Sequence, residues 1–284
     1  MTFTARFAPS PTGPLHLGHA YSALLAHDMA RAAGGRFLLR IEDTDTSRTR
    51  PEWEALIFED LRWLGLEWEE PVLRQSEHLP RYGAALARLA RKGLLYPCSC
   101  SRSDIRAALA APQEGVPAGP AYPGTCRGRS MADRRPGDAL RLDMARALEH
   151  MVGHPPLTYR ESGPFGSGVH EVSPDELVLS VGDPVLARKE IGTPAYVLAA
   201  TVDDAHQGIS HVIRGADLIP TTALQRLLQA LLGLPTPQYH HHRLIRDESG
   251  RRLAKRDDAR AIAAWRADGA SPADIRERVG LGRG

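Results

Sequence analysis

Lysine is almost missing from this chain: Lys92, Lys189 and Lys255 are the only three among 36 basic residues in 284. Arginine carries nearly all the positive charge as a planar fork suited to carboxylates and phosphates, whereas lysine is a compact, mobile point charge. Chance accounts for two of the three lysines; need for a point charge is a reason to keep the third. Cysteine also occurs three times. An odd count, with Cys98 and Cys100 one residue apart, excludes a disulfide framework and fits a reducing cytoplasm. No apolar run approaches the roughly eighteen residues of a membrane span, so no membrane partner is expected. Met1 to Pro14 holds charge and three prolines where a signal peptide needs an apolar stretch, so no such peptide is expected. A net charge of +2 excludes a polycationic nucleic-acid coat but leaves room for a local basic groove. The length corresponds to about two domains, with roughly three quarters of the unfolded surface buried. Neither cofactor nor disulfide is needed for stability at that size.

What is present is concentrated near the start. Arg6-Phe7-Ala8-Pro9-Ser10-Pro11-Thr12-Gly13 runs almost directly into His16-Leu17-Gly18-His19. This reads as a short strand, a turn punctuated by Pro and Gly, and a helix from about His19 to Ala33. A helix N-terminus gathers unpaired N–H groups and the positive end of the dipole, which makes it an anion site. His16 and His19 share one face of the opening turn. Gly18 between them lets a flat ring approach the backbone without a Cβ in the way. The combination suits a triphosphate laid against the helix start, with imidazoles donating to phosphate oxygens.

The rest of the chain supplies a frame for that site. Phe37 to Ile41 reads as a buried parallel strand with the acidic exit Glu42-Asp43-Thr44-Asp45. Pro51 starts a helix carrying Trp53, Leu56, Ile57 and Leu64 at helical spacing, and another runs from about His78 to Lys92. This rhythm predicts an α/β, Rossmann-type doubly wound parallel sheet, with ligands at the carboxyl ends of the strands. Residues 111–137 break it with Pro and Gly, and short β-like runs follow at Ala139–Asp143, Leu157–Arg160, Val169–Val172 and Leu177–Val181. The expected division is therefore 1–97 as the first half of the nucleotide domain and 98–183 as an inserted, mostly β subdomain. The α/β pattern resumes over 184–235 with Val185–Lys189, Tyr196–Val202 and His211–Arg214, then a helix from about Thr221 to Leu232. Residues 236–284 hold a charged loop and two short helices. No internal repeat is present.

The N-terminal stretch resembles the HIGH signature of class I aminoacyl-tRNA synthetases, and Arg6 to Gly13 resembles their glutamyl/glutaminyl branch. A second stretch, Arg252-Leu253-Ala254-Lys255-Arg256, resembles the family's mobile KMSKS loop. Only Lys255 matches well; Arg252 is conservative, while Ala254 and Arg256 replace serines. The resemblance implies attack of an amino-acid carboxylate on the α-phosphate of ATP, with pyrophosphate expelled. His16, His19 and Lys255 are then the catalytic donors, His16, Gly18, His19 and Lys255 bind ATP, and Mg²⁺ enters with the nucleotide. No protein general base is required, because a carboxylate is already ionised at neutral pH. A dicarboxylic substrate needs two cationic contacts and one anionic contact. Arg6 and Arg214 offer the forks and Glu42 a partner for the ammonium group. Tyr196 and Ser10 complete the L-glutamate site that the resemblance implies. Ala200 stands where glutamyl-tRNA synthetases usually carry asparagine, which predicts a looser hold on glutamate.

Cys98 and Cys100 can clasp one tetrahedral ion, and the proline-rich loop can return Cys126 to it; buried reduced thiols are the alternative. No histidine lies near Cys126 in sequence. Tyr122 as the fourth ligand comes from the resemblance, since the glutamyl-queuosine branch pairs Cys-X-Cys with Tyr-X3-Cys. One structural zinc is the expectation. His240-His241-His242 reads as a strand or loop leading into the lysine loop, because consecutive side chains diverge.

Full glutamyl-tRNA synthetases continue past the lysine loop into helical anticodon-reading domains, and this chain stops at Gly284. A compact body of this size has a radius of gyration of roughly 19 Å, too small to reach both the acceptor end and the anticodon. The resemblance thus points to the branch that activates glutamate without tRNA and transfers it to queuosine in the anticodon of tRNA(Asp), working as a monomer on the anticodon stem-loop. The alternatives are a truncated glutamyl-tRNA synthetase, a silent paralogue serving as a binding module, and an enzyme that donates glutamate to a small molecule.

Overall fold

In the computed structural model, which describes residues 2–110, 122–189, 193–245 and 260–282, β1 (Thr4–Phe7) is buried throughout. It pairs in parallel with β2 (Arg36–Ile41), and β2 pairs in parallel with β3 (Glu69–Arg74). Parallel neighbours need helical crossovers, supplied here by α1 (Leu17–Ala32) and α2 (Pro51–Trp63). The buried face of α1 is largely alanine (Ala20, Ala23, Ala26, Ala30), so the helix keeps high propensity and lies close on the sheet. Pro51 sits in the first turn of α2 beside Glu52 and Glu54, matching both the missing N–H and the dipole.

α3 (Leu79–Arg91) leads into β4 (Leu95–Cys98), which leaves this sheet. It pairs antiparallel with β5 (Ala139–Leu142), and β5 pairs antiparallel with β8 (Val185–Ala187). α4 (Arg102–Ala110) and α5 (Met144–His150) flank this small sheet in sequence. β6 (Thr158–Glu161) and β7 (Gly168–Glu171) form a hairpin. β6 also pairs in parallel with β10 (Gln238–His242), which pairs in parallel with β9 (His211–Gly215). The Ser210 amide donates to Thr4 O at 3.0 Å and β9 packs beside β1, so the two parallel sheets abut edge to edge.

α7 (Tyr196–His206) and α8 (Ile219–Leu232) pack on α3. α8 closes at Gly233, whose φ of 60° is the left-handed cap position that favours glycine. Leu89, Leu142, Leu198 and Leu227 belong to this core, which spans the antiparallel sheet and these helices. A second core joins β1, α1, β2 and α2 to the C-terminal helices α9 (Ile262–Ala267) and α10 (Pro272–Arg278) through Leu24, Ile41, Ile57, Ile262 and Ile275.

The α/β class and the principal parallel strands agree with expectation, and three details differ. β3 carries polar residues on an outer strand and was not anticipated. Val185–Ala187 joins the antiparallel sheet instead of the parallel one. Leu177–Val181, read as β-like, is a π-helical turn continuing from the short helix α6 (Pro174–Glu176). Pro174 favours a helix start there, and only Leu177 of the run is buried.

Candidate active site

The carboxyl ends of β1 and β9 and the start of α1 surround a cleft of about 250 Å³. Arg6, Glu42, Tyr196 and Arg214 line it, as do His16, Gly18 and His19. Seven residues chosen from distant parts of the sequence therefore meet at one place. Ser10 lies in the loop between β1 and α1, half-buried, and is not among the lining residues.

The two histidines hold each other at the helix entrance. His16 is the N-cap of α1, and its Nδ1 accepts from the Gly18 amide at 3.1 Å. His19 Nδ1 accepts from the His16 amide at 3.2 Å, a reciprocal arrangement of the capping-box kind. A ring nitrogen that accepts carries no proton, so each neutral imidazole is protonated on Nε2. Their ring centroids lie 3.8 Å apart. A Cβ at Gly18 would stand 2.9 Å from His16 Cε1, so a larger residue there would displace the His16 ring.

Both cationic forks are held by the protein itself. Arg6 Nε donates to Asp204 Oδ1 at 2.8 Å, and Arg40 Nη1 donates to the same oxygen at 2.8 Å. Burial opposes ionisation of Asp204, but Arg6 and Arg40 hold its carboxyl below the usual carboxylate range. Glu42 lies 3.7 Å from Arg40 Nη2, and burial pushes its carboxyl up to about 7 despite Arg40 and Arg6. Burial also raises the Tyr196 phenol. Arg214 donates to His241, Gln225, Thr222 and the Leu218 carbonyl.

Lys255 falls outside the described residues; the described chain before and after them reaches the cleft. Arg243, Leu244 and Ile245 line the cleft on the near side. On the far side Ala261 bridges to His16, and the Ile262 amide donates to Leu15 O at 2.8 Å. The three consecutive histidines do diverge. His240 meets Ser162, His241 meets Glu161 and Arg214, and His242 meets Ser22.

Elsewhere, Cys98, Cys100 and Cys126 bring their sulfurs within 4.8 Å of one another, a group able to hold a metal ion. Tyr122 Oη lies 3.4 Å from both Cys98 Sγ and Cys100 Sγ, and Cys100 and Cys126 sulfurs lie 3.5 Å apart. Zn–S bonds of about 2.3 Å and Zn–O bonds of about 2.0 Å give tetrahedron edges of roughly 3.8 Å and 3.5 Å. The donor set fits. Burial pushes the Cys126 thiol up, but hydrogen bonds involving Tyr122, the Ser99 backbone and the other thiols outweigh it and bring it down to about 6.

Sequence reasoning missed Asp204, Arg40, Glu161 and His241. Arg40 was detectable as a charge inside the apolar run Phe37–Ile41, which requires a buried partner. Asp204 carried no comparable signal beyond its neighbour Asp203.

A family model described as tRNA synthetases class I (E and Q), catalytic domain, matches residues 2–281. The chain belongs to that family. Within it, a glutamyl-Q tRNA(Asp) synthetase of Rhodobacter capsulatus is 57% identical over 97% of this chain and 99% of that protein. One from Nocardia farcinica is 46% identical over 95% and 81% of the respective chains. A crystal structure of an Elizabethkingia meningosepticum glutamate tRNA ligase with its amino acid superposes with a TM-score of 0.77 at 29% identity. That match covers 99% of this chain, which spans 61% of the ligase. A Mycobacterium tuberculosis methionyl-tRNA synthetase, 11% identical with a TM-score of 0.61, shares the fold. No helix among the described residues of this class I synthetase is long and apolar enough to cross a membrane.

Proposed function

We propose that the chain activates L-glutamate with ATP, without tRNA, and transfers the glutamyl group to queuosine in the anticodon of tRNA(Asp). The observation that carries the first half is the cleft, which two arginines and one half-buried carboxylate line together with the N-terminus of a helix capped by paired histidines. A glutamate carboxylate oxygen attacks the α-phosphorus, the bond to the bridging oxygen breaks, and pyrophosphate leaves. Negative charge grows on the phosphate oxygens, and donors already fixed in place stabilise it more than mobile ones. His16 and His19 are fixed by their mutual caps, with Lys255 assigned to the same charge and Mg²⁺ arriving with the nucleotide. Arg6 and Arg214 receive the carboxylates, Glu42 the ammonium group, and Tyr196 and Ser10 supply further contacts. An acceptor oxygen on the queuosine base then attacks the glutamyl carbonyl and AMP departs. The Rhodobacter and Nocardia relatives, both glutamyl-Q tRNA(Asp) synthetases, support this acceptor.

We further propose one zinc held by Cys98, Cys100, Cys126 and Tyr122, away from the chemistry, in a monomer of the reducing cytoplasm. When bound, the ion ties β4 to the segment around Cys126. Pyrophosphate–ATP exchange tests the activation step: glutamate and Mg²⁺ alone should support it. Exchange that begins only when tRNA is added marks a ligase of the Elizabethkingia kind, and no exchange under any condition marks a binding module. Labelled glutamate should then pass to tRNA(Asp) that carries queuosine and not to the same tRNA without it.

A further inference from the structure

We infer that Glu161 and His241 are positioning residues for glutamate, acting through Arg214 as a buried carboxylate–imidazole–guanidinium chain. The inference rests on Arg214 being a glutamate contact. A guanidinium only donates, so the 3.0 Å contact between Arg214 Nε and His241 Nε2 makes Nε2 an acceptor. The ring is then neutral with its proton on Nδ1, and Nδ1 lies 2.5 Å from Glu161 Oε2. No other proton placement satisfies both contacts. Burial, with Arg214 nearby, takes the imidazole down to about 4, in keeping with a neutral ring.

Glu161 is the fixed end. Its Oε1 accepts from the amides of Gly163 at 2.6 Å, His241 at 3.0 Å and Ser162 at 3.1 Å. Those amides and β10 hold the carboxylate between two strands, and all three side chains of the chain are at most 5% exposed. The other faces of the Arg214 fork are set by Gln225 at 2.7 Å and Thr222 at 2.9 Å. Five N–H hydrogens meet four acceptors among the described residues, so one Nη1 hydrogen remains for a carboxylate.

The two forks of the cleft are therefore built differently. Arg6 touches a carboxylate directly, at Asp204, and much of its charge is locally answered. Arg214 is answered one imidazole away. The compensating anion makes burial tolerable, while the distance leaves the guanidinium attractive to an incoming carboxylate.

The test uses the full chain. His241→Leu removes both contacts, His241→Gln can restore an acceptor and a donor, and Glu161→Gln keeps shape but removes charge. The expected result is a KM for glutamate raised roughly tenfold to a hundredfold in His241→Leu and Glu161→Gln, the scale of a lost charged hydrogen bond. KM for ATP should stay within about twofold, and His241→Gln should recover part of the loss. A merely structural role would move both KM values and the melting temperature together. Ring-nitrogen NMR of the native protein should show His241 protonated on Nδ1, in a form lost or shifted in Glu161→Gln; this holds even if His241→Leu does not fold. An unprotonated Nδ1, or unchanged glutamate KM in folded Glu161→Gln, overturns the inference. A native protein lacking any glutamate-dependent exchange overturns the glutamate reading itself, and with it this role for the chain.

Discussion

At the scale of single residues, burial pushes two neighbouring carboxyls up, and only one of them is brought back down by its neighbours. Asp204 is kept ionised by two guanidinium groups, whereas burial raises Glu42 to about 7 and Arg40, hydrogen-bonded to Asp204, offsets only part of that rise. An acid whose folded pKa is raised binds more protons folded than unfolded between the two values, so its burial lowers stability as pH climbs from about 4.5 to 7. An ammonium ligand reverses the preference and releases the proton. The KM for glutamate should therefore fall as pH rises from 6 to 8 in steady-state exchange assays, and a flat profile means Glu42 is ionised throughout. Arg6→Ala should raise KM for glutamate at least tenfold and hardly affect ATP, while leaving Asp204 short of one partner. Normal glutamate kinetics in that variant would make Arg6 a structural arginine. The residues that line the cleft were reachable from the sequence through the joint match of Arg6, Glu42, Tyr196 and Arg214 to the family pattern, since a lone arginine reads as an ordinary surface pair. Their supports were not, since Asp204 and Glu161 come from segments whose approach only the folded sheets reveal.

Among elements, residues 122–126 rest on a small cluster, whereas β4 contributes to that cluster and, through Leu95, to the main core. The small core there consists of Tyr96, Cys98, Tyr122, Cys126 and Ala139. Arg141 stacks over the Tyr122 ring at 3.7 Å and helps fix the phenol. Cys126→Ser should lose the metal and loosen the segment, with a smaller effect on pyrophosphate exchange; elemental analysis of chelator-free protein reads the first effect. Less than about a tenth of an equivalent of zinc in active native protein would leave plain thiols, since thiolate sites for zinc bind tightly. Tyr122→Phe isolates the oxygen ligand, and unchanged zinc affinity would assign the fourth position elsewhere. Helices with strong stop and start residues were legible: α1, α2, α3 and α8 fall within a few residues of expectation. Short apolar runs were not, because Leu177–Val181 has no period that separates a buried strand from a helical turn.

For the whole molecule, the order of segments along the chain is a poor guide to what is mechanically joined. The hairpin β6–β7 belongs by sequence to the stretch that interrupts the α/β pattern, yet it is sewn to β10. Ser162 N donates to Tyr239 O at 2.9 Å, and Gly163 is a position where a Cβ would run into the His241 backbone. The consequence concerns unfolding. A peripheral hairpin would open by itself, exposing its amides at little free energy, whereas this one cannot part without exposing the Glu161 carboxylate and stripping Arg214 of its support. In native-state hydrogen exchange the amides of Ser162 and His241 should thus be as slow as those of β1 and β2, and should share their denaturant dependence. Amides of the hairpin exchanging several kcal/mol earlier would mean a separately breathing flap. As built, an opening large enough to release the hairpin also breaks the Glu161–His241–Arg214 chain, so hairpin and cleft should come apart in a single cooperative event.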